Sequence, residues 1–228
     1  MEATTTLFLK TTRTARISVL GKFDDEVQEC WIVMHGYRQL ASRFIRQFSA
    51  FSTPQRVIVA PEGLSRFYLA DQRPHVGASW MTREDREHEI EDQLQYLENL
   101  YAHLREQLPS NVRWHLFGFS QGVATVWRWL LKGSINPSSL TICCGILPEE
   151  SNYELETKLK GIALCNIYAL NDEFIPVGKA KAHAELLANT YPKTEVLAIE
   201  GPHKLHAEML TQWENRFVQH LAKNTPIR

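Results

Sequence analysis

The chain has 228 residues, 44% hydrophobic and 22% charged, with 25 Lys and Arg set against 26 Asp and Glu for a formal net charge of −1. That is the composition of an ordinary globular protein, and its length suits one domain, residues 1–228, around one large core. Balanced charge offers no footprint for nucleic acid or an anionic membrane surface, so a charged ligand would need a local patch, and small or neutral partners are expected.

The first ten residues, Met1-Glu2-Ala3-Thr4-Thr5-Thr6-Leu7-Phe8-Leu9-Lys10, lack both the basic start and the long apolar run of a secretory signal. No later segment approaches the roughly 20 apolar residues of a membrane helix, so no integral membrane association is expected. Cys30, Cys143, Cys144 and Cys165 begin or sit inside apolar strand-like runs, as buried free thiols do. Adjacent strand residues point to opposite faces, so Cys143 and Cys144 are not expected to grip one metal ion. A cytoplasmic location is the expectation.

In chain order, apolar runs at residues 16–20, 30–34, 56–60, 112–117, 140–146, 162–170 and 194–199 read as strands, most of them buried on both faces. Helical patterns cover residues 41–51, 84–106, 123–131, 177–189 and 206–223. The clearest is 84–106, where Ile90, Leu94, Leu97, Tyr101 and Leu104 recur at helical spacing behind a candidate cap, Thr82. Strand and helix alternate over nearly the whole chain. This predicts an α/β fold with a doubly wound, mainly parallel central sheet and helices on both faces. Only a short polar segment lies between residues 147 and 161, so no large cap is expected.

In such a sheet, reactive groups gather on loops beyond the carboxyl ends of the strands. The run Phe117-Gly118-Phe119-Ser120-Gln121-Gly122-Val123 sets Gly-x-Ser-x-Gly between an apolar strand and an apolar helix, as a nucleophile elbow requires. Glycines two residues to either side remove side chains that would collide in so tight a turn. Ser120 is the candidate nucleophile. Further on, Asn171-Asp172-Glu173-Phe174-Ile175-Pro176 offers Asp172 as the acid that orients a histidine, with Glu173 in reserve. Gly201-Pro202-His203-Lys204-Leu205-His206 offers two candidate bases: His203, nearer the strand end, and His206, at the start of the last helix. The order Ser, Asp, His is that of an α/β-hydrolase. Backbone N–H groups of Gln121 and of Tyr37, which follows His35-Gly36, are the candidate oxyanion donors, and His35 is expected to shape its loop through hydrogen bonds.

Together, His35-Gly36, Gly118-Phe119-Ser120-Gln121-Gly122, Asp172 with Ile175-Pro176, and Gly201-Pro202-His203 make residues 16–222 resemble the phospholipase/carboxylesterase branch of the α/β-hydrolases. That branch includes acyl-protein thioesterases and dienelactone-hydrolase-like esterases. The resemblance implies a compact enzyme without cofactor or metal that cleaves carboxylic esters or thioesters through an acyl-serine, and the short segment between residues 147 and 161 implies an open site that suits small or short-chain substrates. Tyr168-Ala169 stands where the thioesterases usually carry His-Gly, and Pro202 where a glycine often precedes the base. A serine nucleophile also argues against a true dienelactone hydrolase.

The loop between residues 61 and 81 is long, and Phe67, Tyr68, Trp80 and Met81 are candidate walls for the substrate; Trp80 resembles a tryptophan placed similarly in the family. The alternative is that these aromatics anchor the loop to the core. Arg38, Arg66, Arg73 and Arg83 fall near the same edge and would suit an anionic substrate group, unless they are merely solvated. A non-catalytic ligand-binding protein on the same fold is the competing functional expectation. Oligomeric state is not legible.

Overall fold

A computed structural model describes residues 4–70, 74–148 and 156–224. Among these described residues nine strands form in chain order: β1 (Ile17–Leu20), β2 (Glu29–Met34), β3 (Arg56–Pro61), β4 (Ser65–Tyr68), β5 (Val76–Ser79), β6 (Arg113–Phe119), β7 (Ser139–Cys143), β8 (Ala163–Ala169) and β9 (Glu195–Ile199). Seven of them make one sheet in the order β1-β3-β2-β6-β7-β8-β9. Only β1 runs antiparallel to its neighbour, and every pair from β3 to β9 is parallel.

Parallel neighbours need crossovers, and the helices that precede β9 supply them. The helices are α1 (Ala41–Phe44), continued by a 3-10 segment at Ile45–Phe51, α2 (Arg86–Gln107), α3 (Gln121–Lys132), α4 (Glu156–Leu159), α5 (Val177–Thr190) and, after the last strand, α6 (Ala207–Trp213) and α7 (Gln219–Asn224). A π-helical segment, Glu214–Val218, joins α6 to α7.

Strand periodicity explains the two cores. Cys30, Ile32 and Met34 of β2 pack with Val57 and Val59 of β3, Leu116 of β6, and Leu97, Leu100, Leu104, Val126 and Trp127 of α2 and α3. The alternate residues Trp31 and Val33 face the other way, with Ile58, Phe117, Phe44, Phe48 and Trp213 of the α1 and α6 layer. A slip of one residue would exchange the two sets, so register is strongly specified. Trp213 is wholly buried and donates its Nε1–H to Thr141 Oγ1 at 3.0 Å, which fixes the last helical layer to β7.

Three departures from expectation have local causes. The run expected as a strand to residue 146 stops at Cys143, because Cys144 takes φ 46°, a left-handed conformation that no strand continues. Cys144 thereby leaves the alternation, and both thiols pack in the same core cluster instead of diverging. Burial raises the Cys143 thiol well above its ordinary pKa, and all four cysteines are free. In the long loop, Ser65–Tyr68 and Val76–Ser79 pair as an antiparallel ribbon. Finally, α2 starts at Arg86 behind a left-handed Asp85, while the Thr82 hydroxyl donates to the Glu84 carbonyl and makes no cap.

Candidate active site

Strands β2, β6, β8 and β9 all deliver their carboxyl ends to one edge of the sheet, and each is followed by one of the candidate groups. After β6 the chain turns at Ser120, whose φ of 52° and ψ of −118° lie outside the regions non-glycine residues favour. A conformation of that kind costs on the order of 1–3 kcal/mol and persists only where surroundings impose it. Those surroundings are visible. A Cβ on Gly118 would lie 2.7 Å from Val126 Cγ1, and one on Gly122 would lie 2.4 Å from the Met34 carbonyl oxygen. The Ser120 N–H donates to the Cys143 carbonyl at 2.9 Å, tying the turn to β7.

Strand neighbours β8 and β9 bring the acid and the base together. Their loops are stitched by Leu170 N–H to the Ile199 carbonyl at 2.9 Å and Asn171 N–H to the Gly201 carbonyl at 3.0 Å. His203 Nδ1 lies 2.6 Å from Asp172 Oδ2, and His203 Nε2 lies 2.8 Å from Ser120 Oγ. Asp172 Oδ1 accepts from the N–H groups of Phe174 and Ile175, both at 2.8 Å, so its carboxylate has one oxygen spent on the loop and one left for the imidazole. Its side chain is 2% exposed and that of His203 9%, so the pair is shielded from water. Phe119 and Phe174 flank the imidazole at ring separations of 5.3 and 5.0 Å.

The two residues held in reserve take other places. Glu173 Oε2 accepts from the backbone N–H of His203 at 2.8 Å, and this bond holds the Glu173 carboxyl below its ordinary pKa. His206 stands at the N-cap of α6, where its Nδ1 accepts from Met209 N–H at 3.3 Å. It does not reach Ser120 among the contacts of the described residues, whereas His203 does.

The loop after β2 lies directly against the serine: a Cβ on Gly36 would sit 3.1 Å from Ser120 Cβ and 3.0 Å from Phe119 Cδ1. The N–H groups on either side of Tyr37 are engaged, Gly36 to Gln39 Oε1 at 2.7 Å and Arg38 to the Ala78 carbonyl at 2.9 Å. Gln121 opens α3, where the first N–H groups have no partner within the helix and the positive end of the dipole faces the serine. His35 is fully buried, and burial lowers its pKa so that the neutral ring persists. Its Nε2 accepts from Gly63 N–H at 3.0 Å, which places the proton on Nδ1, 2.8 Å from the Gly36 carbonyl. The expected loop-shaping role is therefore the geometry observed.

Of the candidate walls, Trp80 stands apart. It is 2% exposed, stacks on His35 at 5.0 Å and donates Nε1–H to the His35 carbonyl at 2.8 Å, which anchors the loop on β2's end. Phe67 stacks on Tyr37 at 5.4 Å, Tyr68 is exposed, and Met81 is half-buried beside Gln121. Sequence reasoning missed the Gln121 side chain. Its Oε1 accepts from Trp80 N–H at 3.1 Å and its Nε2 donates to the Met81 carbonyl at 2.8 Å, clamping this loop onto the elbow. A polar side chain directly after the serine was its only signal.

Among the loop arginines, Arg66 pairs with buried Glu62 at 3.2 Å, Arg38 occupies a left-handed turn at φ 70°, and Arg83 is exposed beside Met81. Arg73 lies outside the described residues, as does most of the segment where a cap was not expected. Among the described residues, no cluster of His, Cys, Asp and Glu has the makings of a metal site, and no helix is long and apolar enough to cross a membrane.

Solved structures with similar folds include acyl-protein thioesterase 2 of Zea mays, with 15% identity, a TM-score of 0.69, and coverage of 91% of this chain and 100% of that one. Esterase PE8 matches with 18% identity and a TM-score of 0.67 over 92% of this chain and 100% of its own. A phospholipase/carboxylesterase from Dyadobacter fermentans matches with 14% identity and a TM-score of 0.62, covering 92% and 99%. Likeness at such identities establishes the α/β-hydrolase fold. Comparison with curated protein sequences gives no match. Residues 17–221 match the sequence model of the phospholipase/carboxylesterase family, and the chain belongs to that family of hydrolases.

Proposed function

We propose that the protein is a serine carboxylic-ester hydrolase that acts through an acyl-serine intermediate on small or short-chain esters or thioesters, without a cofactor. The observation that carries this reading is the unbroken line from Ser120 Oγ through the His203 ring to Asp172, at 2.8 and 2.6 Å. Asp172 accepts the Nδ1–H and leaves the Nε2 lone pair for the serine proton. As Ser120 Oγ attacks the substrate carbonyl, His203 takes that proton and Asp172 stabilises the imidazolium. The oxyanion is held by the N–H groups of Tyr37 and Gln121. His203 then protonates the departing alcohol or thiol. Water enters, gives its proton to His203, and releases the acid from Ser120.

Hydrolysis of p-nitrophenyl acetate by wild type, Ser120→Ala and His203→Ala, with folding checked by circular dichroism, tests this mechanism. Wild type should turn over and label with a fluorophosphonate, and folded Ser120→Ala should lose on the order of 10⁴-fold or more in kcat and all labelling. Undiminished hydrolysis by folded Ser120→Ala would reject it.

A further inference from the structure

The two backbone donors of the mechanism above come from distant parts of the chain, Tyr37 beyond β2 and Gln121 at the start of α3. Residues 36–39 form a tight turn, closed by Gln39 N–H to the Gly36 carbonyl at 3.2 Å, with Arg38 in its third position at φ 70°. Gly36 N–H goes to Gln39 Oε1 and Arg38 N–H to the Ala78 carbonyl, so within this turn only the Tyr37 N–H has no partner among the described residues. Ala78 N–H returns to the Gln39 carbonyl at 3.2 Å, which binds β5 to the turn from both directions. The approach is close. A Cβ on Gly77 would lie 2.5 Å from the Arg38 carbonyl oxygen and 2.8 Å from the Arg38 Cα. Phe67, paired with Gly77 across the ribbon, stacks on the Tyr37 ring.

The same segment runs on to the other donor. Trp80 N–H donates to Gln121 Oε1 at 3.1 Å, Gln121 Nε2 donates to the Met81 carbonyl at 2.8 Å, and Ser79 Oγ lies 3.2 Å from Gln121 Nε2. Both ends of the Gln121 carboxamide are thereby committed to one stretch of backbone, directly after the nucleophile.

From this we infer that residues 77–81 are a strap that sets the spacing of the oxyanion donors. One end fixes the turn that presents the Tyr37 N–H, the other fixes Gln121, and Gly77 and the Gln121 side chain are positioning residues. The inference rests on the hydrolase reading above. Both residues act through backbone N–H groups, which a substitution leaves in place but moves. Preorganised donors stabilise charge that exists only in the tetrahedral state, so a loosened strap raises the barrier without weakening ground-state binding.

The test uses Gly77→Ala and Gln121→Met, with folding checked by circular dichroism. Two readouts are steady-state hydrolysis of p-nitrophenyl acetate and inhibition by trifluoromethyl hexyl ketone, which adds to Ser120 as a hemiketal anion. Each variant should lose on the order of 10²-fold in kcat with KM within about threefold of wild type, and ketone affinity should fall by a comparable factor. The acid limb of the kcat/KM profile, which reports the base, should keep its midpoint. Because one strap serves both donors, the loss in the double variant should be well below the product of the single losses. Gln121 is half-buried at a helix start, so its variant carries the test if Gly77→Ala does not fold. Folded variants with kcat within about threefold of wild type, a loss confined to KM, a kcat loss with unchanged ketone affinity, or losses that multiply overturn the inference. A shifted acid limb overturns it too, by placing the damage in the triad. Wild type that neither hydrolyses the ester nor binds the ketone rejects the hydrolase reading and the inference with it, whereas active wild type with unaffected variants rejects the inference alone.

Discussion

Glu173 and Asp172 hold the same histidine by different atoms. Asp172 Oδ2 meets the His203 ring at 2.6 Å, whereas Glu173 Oε2 takes the His203 backbone N–H at 2.8 Å. Adjacent acids in a loop have been sorted by their exposure, Asp172 under the ring and Glu173 at the surface.

The two should therefore separate kinetically. Asp172→Asn keeps the shape but no longer sets the tautomer or balances the imidazolium, and kcat is expected to fall by about 10⁴-fold. Glu173→Ala removes one tether of the loop and is expected to cost less than about tenfold, because the ring contact survives. Steady-state kinetics on p-nitrophenyl acetate decides, and equal losses in the two variants would assign Glu173 the orienting role.

Gly122 faces the most severe crowding at the elbow. A methyl group there would press on the Met34 and His35 carbonyl oxygens at 2.4 and 2.8 Å, both backbone atoms of the central strand and its loop. Neither side yields cheaply, so Gly122→Ala should destabilise the fold by about 3 kcal/mol. Urea unfolding measures this directly. A midpoint close to that of wild type would show that α3 can move away from β2.

Such contacts explain what was legible in the sequence. The elbow could be read because its glycines are required by sterics that any strand-turn-helix imposes, and His203 could be preferred to His206 because it lies nearer the strand end, behind a Gly-Pro turn; that β8 and β9 are neighbours came only with the sheet. The hydrogen bond of Trp80 to the His35 carbonyl could not be read, since a sequence does not show which backbone oxygen an indole in a long loop will meet. Cys144 and the β4–β5 ribbon depend on turn geometry, which alternation of apolar residues does not encode.

Acid should unfold the protein partly through a group remote from the candidate active site. His115 is buried in β6, stacked on Trp31 at 4.2 Å with Nδ1 2.8 Å from Ser139 Oγ, and Glu29, Arg113 and Arg56 act on it from nearby. Burial pushes its pKa down to about 3 from the ordinary 6.5. Above pH 6.5 both folded and unfolded states hold it neutral. As pH falls from 6.5 toward 3 the unfolded chain binds a proton that the folded one refuses, and stability on the order of 5 kcal/mol drains away across that window. His115→Gln removes this contribution, so its urea midpoint, compared with its own value at pH 7.5, should drop less by pH 4.5 than that of wild type. Parallel profiles would place the acid sensitivity elsewhere.

His206 provides the sharpest separation between position in sequence and position in space. It lies three residues beyond His203, carries the same imidazole, and sits close to the same loop, since a Cβ on Gly201 would approach its Nε2 to 2.9 Å. Its Nδ1 accepts from Met209 N–H, so the ring must keep its proton on Nε2, which is buried without a hydrogen-bond partner among the described residues. A ring oriented this way offers no lone pair to a serine. Its work is to cap α6, and an N-cap contributes about 1 kcal/mol. His206→Ala should accordingly lower stability by about that amount while kcat stays within about tenfold of wild type. His206→Asn, which supplies a capping oxygen, should recover most of the stability. Were the base His206, the alanine variant would instead be folded and as inactive as His203→Ala, a result that kinetics and unfolding measured on the same preparations would reveal.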